Sequence, residues 1–161
     1  MEYSNEILFK VFTTYAGCEM ILEKSGRIAK LCGVAFDGMI ISLYDGEDIR
    51  NYEYFPFKPI LTPLSAITDE HADTCAVFCG LHTEGNAIKR YSEAIIISND
   101  TYDLQIGHNG YICLRKNGQL YNMDMRKVID KLREWGYDCG YGDIPSLIEA
   151  GIAIDKTTLN N

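Results

Sequence analysis

NMDMRKVIDKLREWGYDCGYGDIPSLIEAGIAID, residues 122–155, carries the clearest helix pattern in the chain and its only tryptophan. Within it Met125, Val128, Ile129, Leu132 and Trp135 recur at the three- and four-residue spacing of one helix face, while Arg126, Lys127, Asp130, Lys131, Arg133 and Glu134 take the other. A helix of this kind has one side to bury and one to leave in water, so we expect a sheet beneath it. Asn122 or Asp124 supplies a cap at its start, and Gly136 stands where the chain must leave through a left-handed conformation. Beyond it, residues 137–143 read as a glycine-rich loop and residues 144–150 as a short helix opened by Pro145 and closed by Gly151. Residues 152–155 read as an apolar tail that docks rather than frays.

Working back from that helix, residues 93–123 alternate between β-branched runs and turn pairs: EAIIIS, Asn99-Asp100, YDLQIGH, Asn109-Gly110, YICLRK, Asn117-Gly118 and QLYNM. Pairs of this type accept the positive φ of tight hairpins, so the segment predicts an antiparallel meander. A first meander is predicted nearer the N-terminus, from CEMILEK, Ser25-Gly26, RIAKLCGVAF, Asp37-Gly38, MIISLY and Asp45-Gly46, with IRNYEYF as a fourth strand. Ile7, Leu8, Val11 and Phe12 predict a short helix over residues 5–15, capped by Ser4 or Asn5. Between the meanders FPFKPILTPLSAIT holds three of the four prolines and reads as a crossing segment, with one helical turn at residues 64–68. A second short helix is predicted over residues 69–81 and a polar loop over residues 83–91. The expected class is α+β, antiparallel β-meanders covered by an amphipathic C-terminal helix. The expected organisation is a single domain, 1–161, made of an N-terminal helix and meander (1–57), a linker with short helices (58–92), and a second meander with C-terminal helices (93–161).

At 161 residues the chain can bury one sizeable core, and its net charge of −8 argues against a general grip on nucleic acid phosphates. The opening MEYSNEILFKVF is acidic and too short in its apolar run for an export leader, and no run of apolar residues reaches the length of a membrane span. We therefore expect a cytoplasmic protein without a membrane partner. Its six cysteines are scattered through apolar segments and read as buried free thiols rather than a disulfide framework.

Four groupings of residues have types that could carry chemistry. His71, Cys75, Cys79 and His82 are the best metal candidates, since helical positions four apart share a face and could bring two sulfurs to one Zn²⁺. The spacing supplies two or three ligands only, and buried thiols beside a surface histidine are the preferred reading. A cysteine–histidine nucleophilic pair needs partners that meet only in space, and no spacing here marks one. Gly136, Gly140 and Gly142 resemble a phosphate-cradling run in composition, but they leave a helix instead of leading a strand into one, and no Lys-Ser/Thr follows. Tyr52, Tyr54, Phe55 and Phe57 could line a binding face, although half-buried strands favour aromatics in any case. No catalytic, cofactor or metal site is assigned from these. Residues 95–98 and 19–24 are taken as sheet edges that could pair across a dimer.

Two stretches resemble a known family. KPILTPLSAIT, residues 58–68, is similar to "KPILRPLSDLT", and KLREWGYD with LIEAGIAID, residues 131–155, is similar to "KLFEWHFDVFGLIEKGLAID", both from a family of small uncharacterised proteins of bacteriophages and prophages of gut anaerobes. The departures are Thr62 for Arg, Ala66 for Asp, Gly136 for His, and extra residues at 139–143. What persists is Pro, Leu, Ile, Trp and Gly, which pack and turn, so the resemblance implies a shared fold and transfers no active site. With no catalytic spacing in the chain, it leads us to expect an accessory protein of a phage or mobile element. Such a protein binds a host or phage protein in the host cytoplasm and is not an enzyme. The alternative is a small enzyme or a small-molecule or nucleotide-binding protein with a pocket between the meanders.

Overall fold

The computed structural model describes residues 3–35, 40–53, 57–81 and 86–159. Across these residues the chain is mixed α+β, with three α-helices and mostly antiparallel sheets. It divides into two compact units, Met1–Leu61 with Leu147–Asn161, and Thr62–Ser146. Residues 147–161 thus belong with the first meander although they follow the second in sequence.

The first unit opens on α1 (Asn5–Thr14), where the Ser4 hydroxyl accepts the N–H of Ile7 at 3.4 Å and Phe9, Val11 and Phe12 are buried. The expected meander follows as β1 (Glu19–Leu22), β2 (Ile28–Ala35), β3 (Ile40–Tyr44) and β4 (Ile49–Tyr52), each antiparallel to the next. The Asp37-Gly38 turn lies outside the described residues, as do Tyr54 and Phe55. The crossing segment requires correction, because its start is β5 (Phe57–Leu61), a strand paired antiparallel with β1. On its other side lies β11 (Ile154–Asp155), parallel to it and paired at Ile60 and Leu61. Proline weakens a strand by removing a donor, but Pro59 stands outside the short β11 ladder, and the burial of Phe57, Ile60 and Leu61 outweighs the loss. The sheet order is β11-β5-β1-β2-β3-β4, and β1, which was expected at an edge, is an interior strand.

Strand alternation sorts this sheet into two faces. The register Met20↔Ala29, Leu22↔Phe57, Leu31↔Leu43, Leu43↔Arg50 and Ile41↔Tyr52 places all of these residues on one face. Phe12 of α1 meets Phe57 there, with ring centroids 5.2 Å apart.

In the second unit residues 64–66 form a 3₁₀ turn, and α2 (Asp69–Phe78) begins where the Thr68 hydroxyl accepts the N–H of His71 at 3.2 Å. The helix stops short of the expected residue 81, because Gly80 takes φ +79° and Leu81 N–H turns back to the Ala76 carbonyl. A second correction concerns residues 83–91. Part of this expected loop is β6 (Ala87–Arg90), paired with β7 (Ala94–Ser98) through Ile88↔Ile97 and its neighbours. Its polar end hid it: Lys89 lies on the face opposite Ile88, and Arg90 closes the strand with its guanidinium donating to the Ile67 carbonyl at 2.8 Å. Then come β8 (Tyr102–Gly107), β9 (Ile112–Lys116) and β10 (Gln119–Tyr121), giving the order β10-β9-β8-β7-β6. Residues 95–98 therefore sit on an interior strand, not at an edge. The Asn117-Gly118 turn takes φ 49° and 78°, the left-handed pair its composition demands.

The organising helix is α3 (Arg126–Glu134). Its Val128 and Leu132 share one buried cluster with Ala72, Cys75 and Ala76 of α2 and with Ile95, Ile97, Leu104, Ile106 and Leu114 of the sheet. It is not C-terminal, since β11 comes after it. Nor does the predicted helix at 144–150 form; the segment is a series of turns. Seven residues are too few to nucleate a helix against competing bonds, and here the Asp138 carboxylate takes the Ser146 hydroxyl while the Leu147 carbonyl accepts from Ile152 and Ala153. Among the described residues no helix is long and apolar enough to cross a membrane.

Candidate functional site

On the inner face of the first sheet lies a cavity of about 160 Å³. Alternation builds it. Arg27 stands two residues before Ala29, Asp45 two after Leu43, and Arg50 two before Tyr52, so charged residues prolong the rows of buried ones on the same face. Leu22, Ala29 and Leu43 give the cavity an apolar lining, and Tyr52 supplies an aromatic one, set edge-on to Phe57 at 5.5 Å.

Asp45 organises the polar rim. Its Oδ1 accepts the backbone N–H groups of Glu47 and Asp48 at 3.3 and 3.2 Å, closing the β3–β4 turn. Its Oδ2 accepts the Arg27 Nη2–H at 3.0 Å and lies 3.7 Å from the Arg50 guanidinium. Those N–H groups, first of Asp48 and then of Glu47, hold the carboxyl below the usual carboxylate range, with the two guanidiniums adding to the effect. Asp45 is therefore a fixed anion, unsuited to passing protons near neutral pH. Both arginine side chains remain about half exposed, at 50% and 53%, and each guanidinium has five N–H donors of which Asp45 engages few. Two cations and one anion line a site in a chain whose net charge is −8.

The residues singled out in sequence lie elsewhere. Cys75 and Cys79 are in the apolar cluster of the second unit, where burial pushes their thiols up to about 12 and about 11, far from the thiolate that a nucleophilic step requires. Cys18 and Cys139 are likewise raised to about 12 by burial. His71 is engaged by aromatic residues. Its ring stacks on Trp135 at 4.0 Å and its Nδ1 lies 2.8 Å from the Tyr137 hydroxyl. His82 is outside the described residues, and among those residues no three His, Cys, Asp or Glu side chains gather as a metal site. Gly136, Gly140 and Gly142 all have positive φ, but the loop is closed inward. The Gly140 N–H is donated to Asp138 at 3.1 Å, and Asp138 N–H to the Thr62 carbonyl at 2.9 Å. Of the aromatic group, Phe57 is buried and Tyr52 lines the cavity.

Sequence reading missed Arg27, Asp45 and Arg50. The sequence marks Asp45 only as a turn residue, and it places Arg27 and Arg50 in predicted strands without assigning them a role. The available signal was their parity with Ala29, Leu43 and Tyr52, which aims them at the buried face. Comparison with protein-family models, with curated proteins and with solved structures yields no match to this chain.

Proposed function

We propose that the chain is an accessory protein of a bacteriophage or mobile element that acts in the host cytoplasm by binding a host or phage protein, without catalysing a reaction. The observation that carries this reading is the size and charge of the cavity beside Asp45. A volume of about 160 Å³ falls below the ~300–1,000 Å³ of sites that enclose drug-sized ligands, which disfavours a nucleotide. It is close to the ~150 Å³ that admits one benzene ring, the scale of a single side chain anchoring an interface. Thiols raised by burial and a carboxylate held ionised leave these groups poorly placed for nucleophilic or proton-transfer work. The phage attribution rests on the similarity of residues 58–68 and 131–155 to the family motifs.

The test is affinity capture from host lysate with the full chain, followed by reconstitution of the recovered protein in purified form, beside a thermal-shift screen of nucleotides and metabolites. A purified partner that binds stoichiometrically, with no metabolite shift, is the expected result. A shift of several degrees with one metabolite and no reconstituted partner would replace this reading with that of an enzyme or sensor.

A further inference from the structure

We infer that the Arg27–Asp45–Arg50 cavity is a receptor for the C-terminal carboxylate of a partner protein whose last residue is apolar, an inference that rests on the protein-binding reading above. The lining is divided. Leu22, Ala29 and Leu43 offer hydrocarbon, and a guanidinium pair offers N–H donors beside it. A fitting ligand must therefore present an apolar body and an anionic head on adjoining atoms, within about 160 Å³. A peptide C-terminus ending in Leu or Phe does so, because its side chain and its carboxylate leave the same carbon. An internal Glu or Asp does not, since its charge sits at the tip of the group that would enter the apolar part.

Charge balance supports a single head group. Two guanidiniums and one carboxylate leave one positive charge at the rim, which one carboxylate neutralises. An acidic run is a worse fit, because Glu47 and Asp48 follow Asp45 in the same turn and would repel it. Asp45 fixes Arg27 through a 3.0 Å hydrogen bond and stands 3.7 Å from Arg50. The donors are thereby ordered before a ligand arrives, which reduces the entropy lost on binding. Arginine is the residue suited to this task, since its planar fork matches a carboxylate with two parallel hydrogen bonds.

The experiment uses the full chain and fluorescence polarisation with labelled octapeptides ending in Leu, Phe or Lys, each as free acid and as C-terminal amide. The Leu and Phe acids should bind, and amidation or a terminal Lys should weaken them by about tenfold or more, the loss expected for a charge-assisted hydrogen bond. Arg50→Gln should produce the same loss with unchanged melting, because its 3.7 Å contact is too long to hold the fold. Arg27→Lys, which keeps the charge but loses the fork, should reproduce part of it. Equal binding of acid and amide, or no binding by any peptide, overturns the inference. So does 3-phenylpropanoate competing at the affinity of the best peptide, which would mark a site for small organic acids. If a reconstituted partner still binds the Arg27→Lys, Arg50→Gln double variant undiminished, the cavity assignment fails while the protein-binding reading stands. If no partner reconstitutes at all, it is that reading which fails.

Discussion

The imidazole of His71 lies flat on the indole of Trp135, ring centroids 4.0 Å apart and planes 8° from parallel. One ring belongs to the first turn of α2 and the other caps α3, so the stack joins two helices that already share a buried cluster. Lys131 Nζ stands 5.3 Å from the indole centroid, and Tyr137 meets His71 edge-on at 5.6 Å.

A double-mutant cycle of His71→Ala and Trp135→Ala should give a coupling energy of about 0.5–1.5 kcal/mol, the range for aromatic pairs beyond their buried area. Urea unfolding of the four proteins measures it. Strictly additive losses would show that the stack contributes nothing. Trp135 is the single tryptophan, so emission from His71→Ala should also change in the native state, reporting on the stack alone.

Gly140→Ala should destabilise the second unit far more than Gly142→Ala. Both positions have positive φ, 65° and 55°, but a Cβ at 140 would run into the backbone carbonyls of Ile144 and Pro145, whereas one at 142 meets nothing within 4 Å. Backbone cannot yield as a side chain does, so the expected cost at 140 is on the order of 2 kcal/mol or more, against about 1 kcal/mol at 142. Melting temperatures of the two variants that coincide would contradict the packing of this loop.

Ending the chain after Ser146 should leave the first unit unstable. The deletion removes Leu147 and Ile152, buried to 0% and 4% exposure, and takes away β11, uncovering one side of β5. At ~1.5–3 kcal/mol for each buried side chain, the loss is a large share of the ~5–15 kcal/mol that stabilises an ordinary domain. The uncovered strand should also promote aggregation. A truncated chain with the native urea midpoint would show that the tail is dispensable.

Acid should weaken the fold through Asp45 and Asp124. The Asp48 and Glu47 N–H groups lower the first, and hydrogen bonds to Arg126 hold the second down to about 2. A carboxyl whose folded pKa is depressed contributes its stability above the unfolded value near ~3.9 and loses it as pH falls through the folded one. Stability should therefore be flat from neutral pH to about 4 and decline from there toward about 2. Asp45→Asn should shift less with acid than the wild type when unfolding is followed across that window. An identical slope for both proteins would remove Asp45 from this account.

Local pattern made much of the architecture legible. The apolar spacing from Met125 to Trp135 marked α3, Asn117-Gly118 and the other turn pairs among the described residues marked the hairpins, and Ser4 stands at the start of α1 as its hydrogen bond requires. Errors fell where partners were distant in sequence. Phe57–Leu61 read as a linker because its prolines are local, while its status as a strand depends on β1 and β11, the latter some ninety residues further on. Residues 144–150 read as a helix by composition, and Asp138 and Leu147 claim their polar groups for turns instead.

By itself, then, the sequence determined the periods: which residues alternate, which recur at helical spacing, and which glycines must turn. These depend on backbone geometry within a few residues, so they survive without knowledge of the neighbours. Tertiary structure decided which strand lies beside which, and with it the cavity. Arg27 directly precedes β2, Asp45 directly follows β3 and Arg50 lies in β4, and the pairing of these strands brings one carboxylate within 3.0 Å and 3.7 Å of two guanidiniums. Charge at a distance of 18 residues has no local signature, because the energy that pairs it comes from the pairing of the strands that carry it.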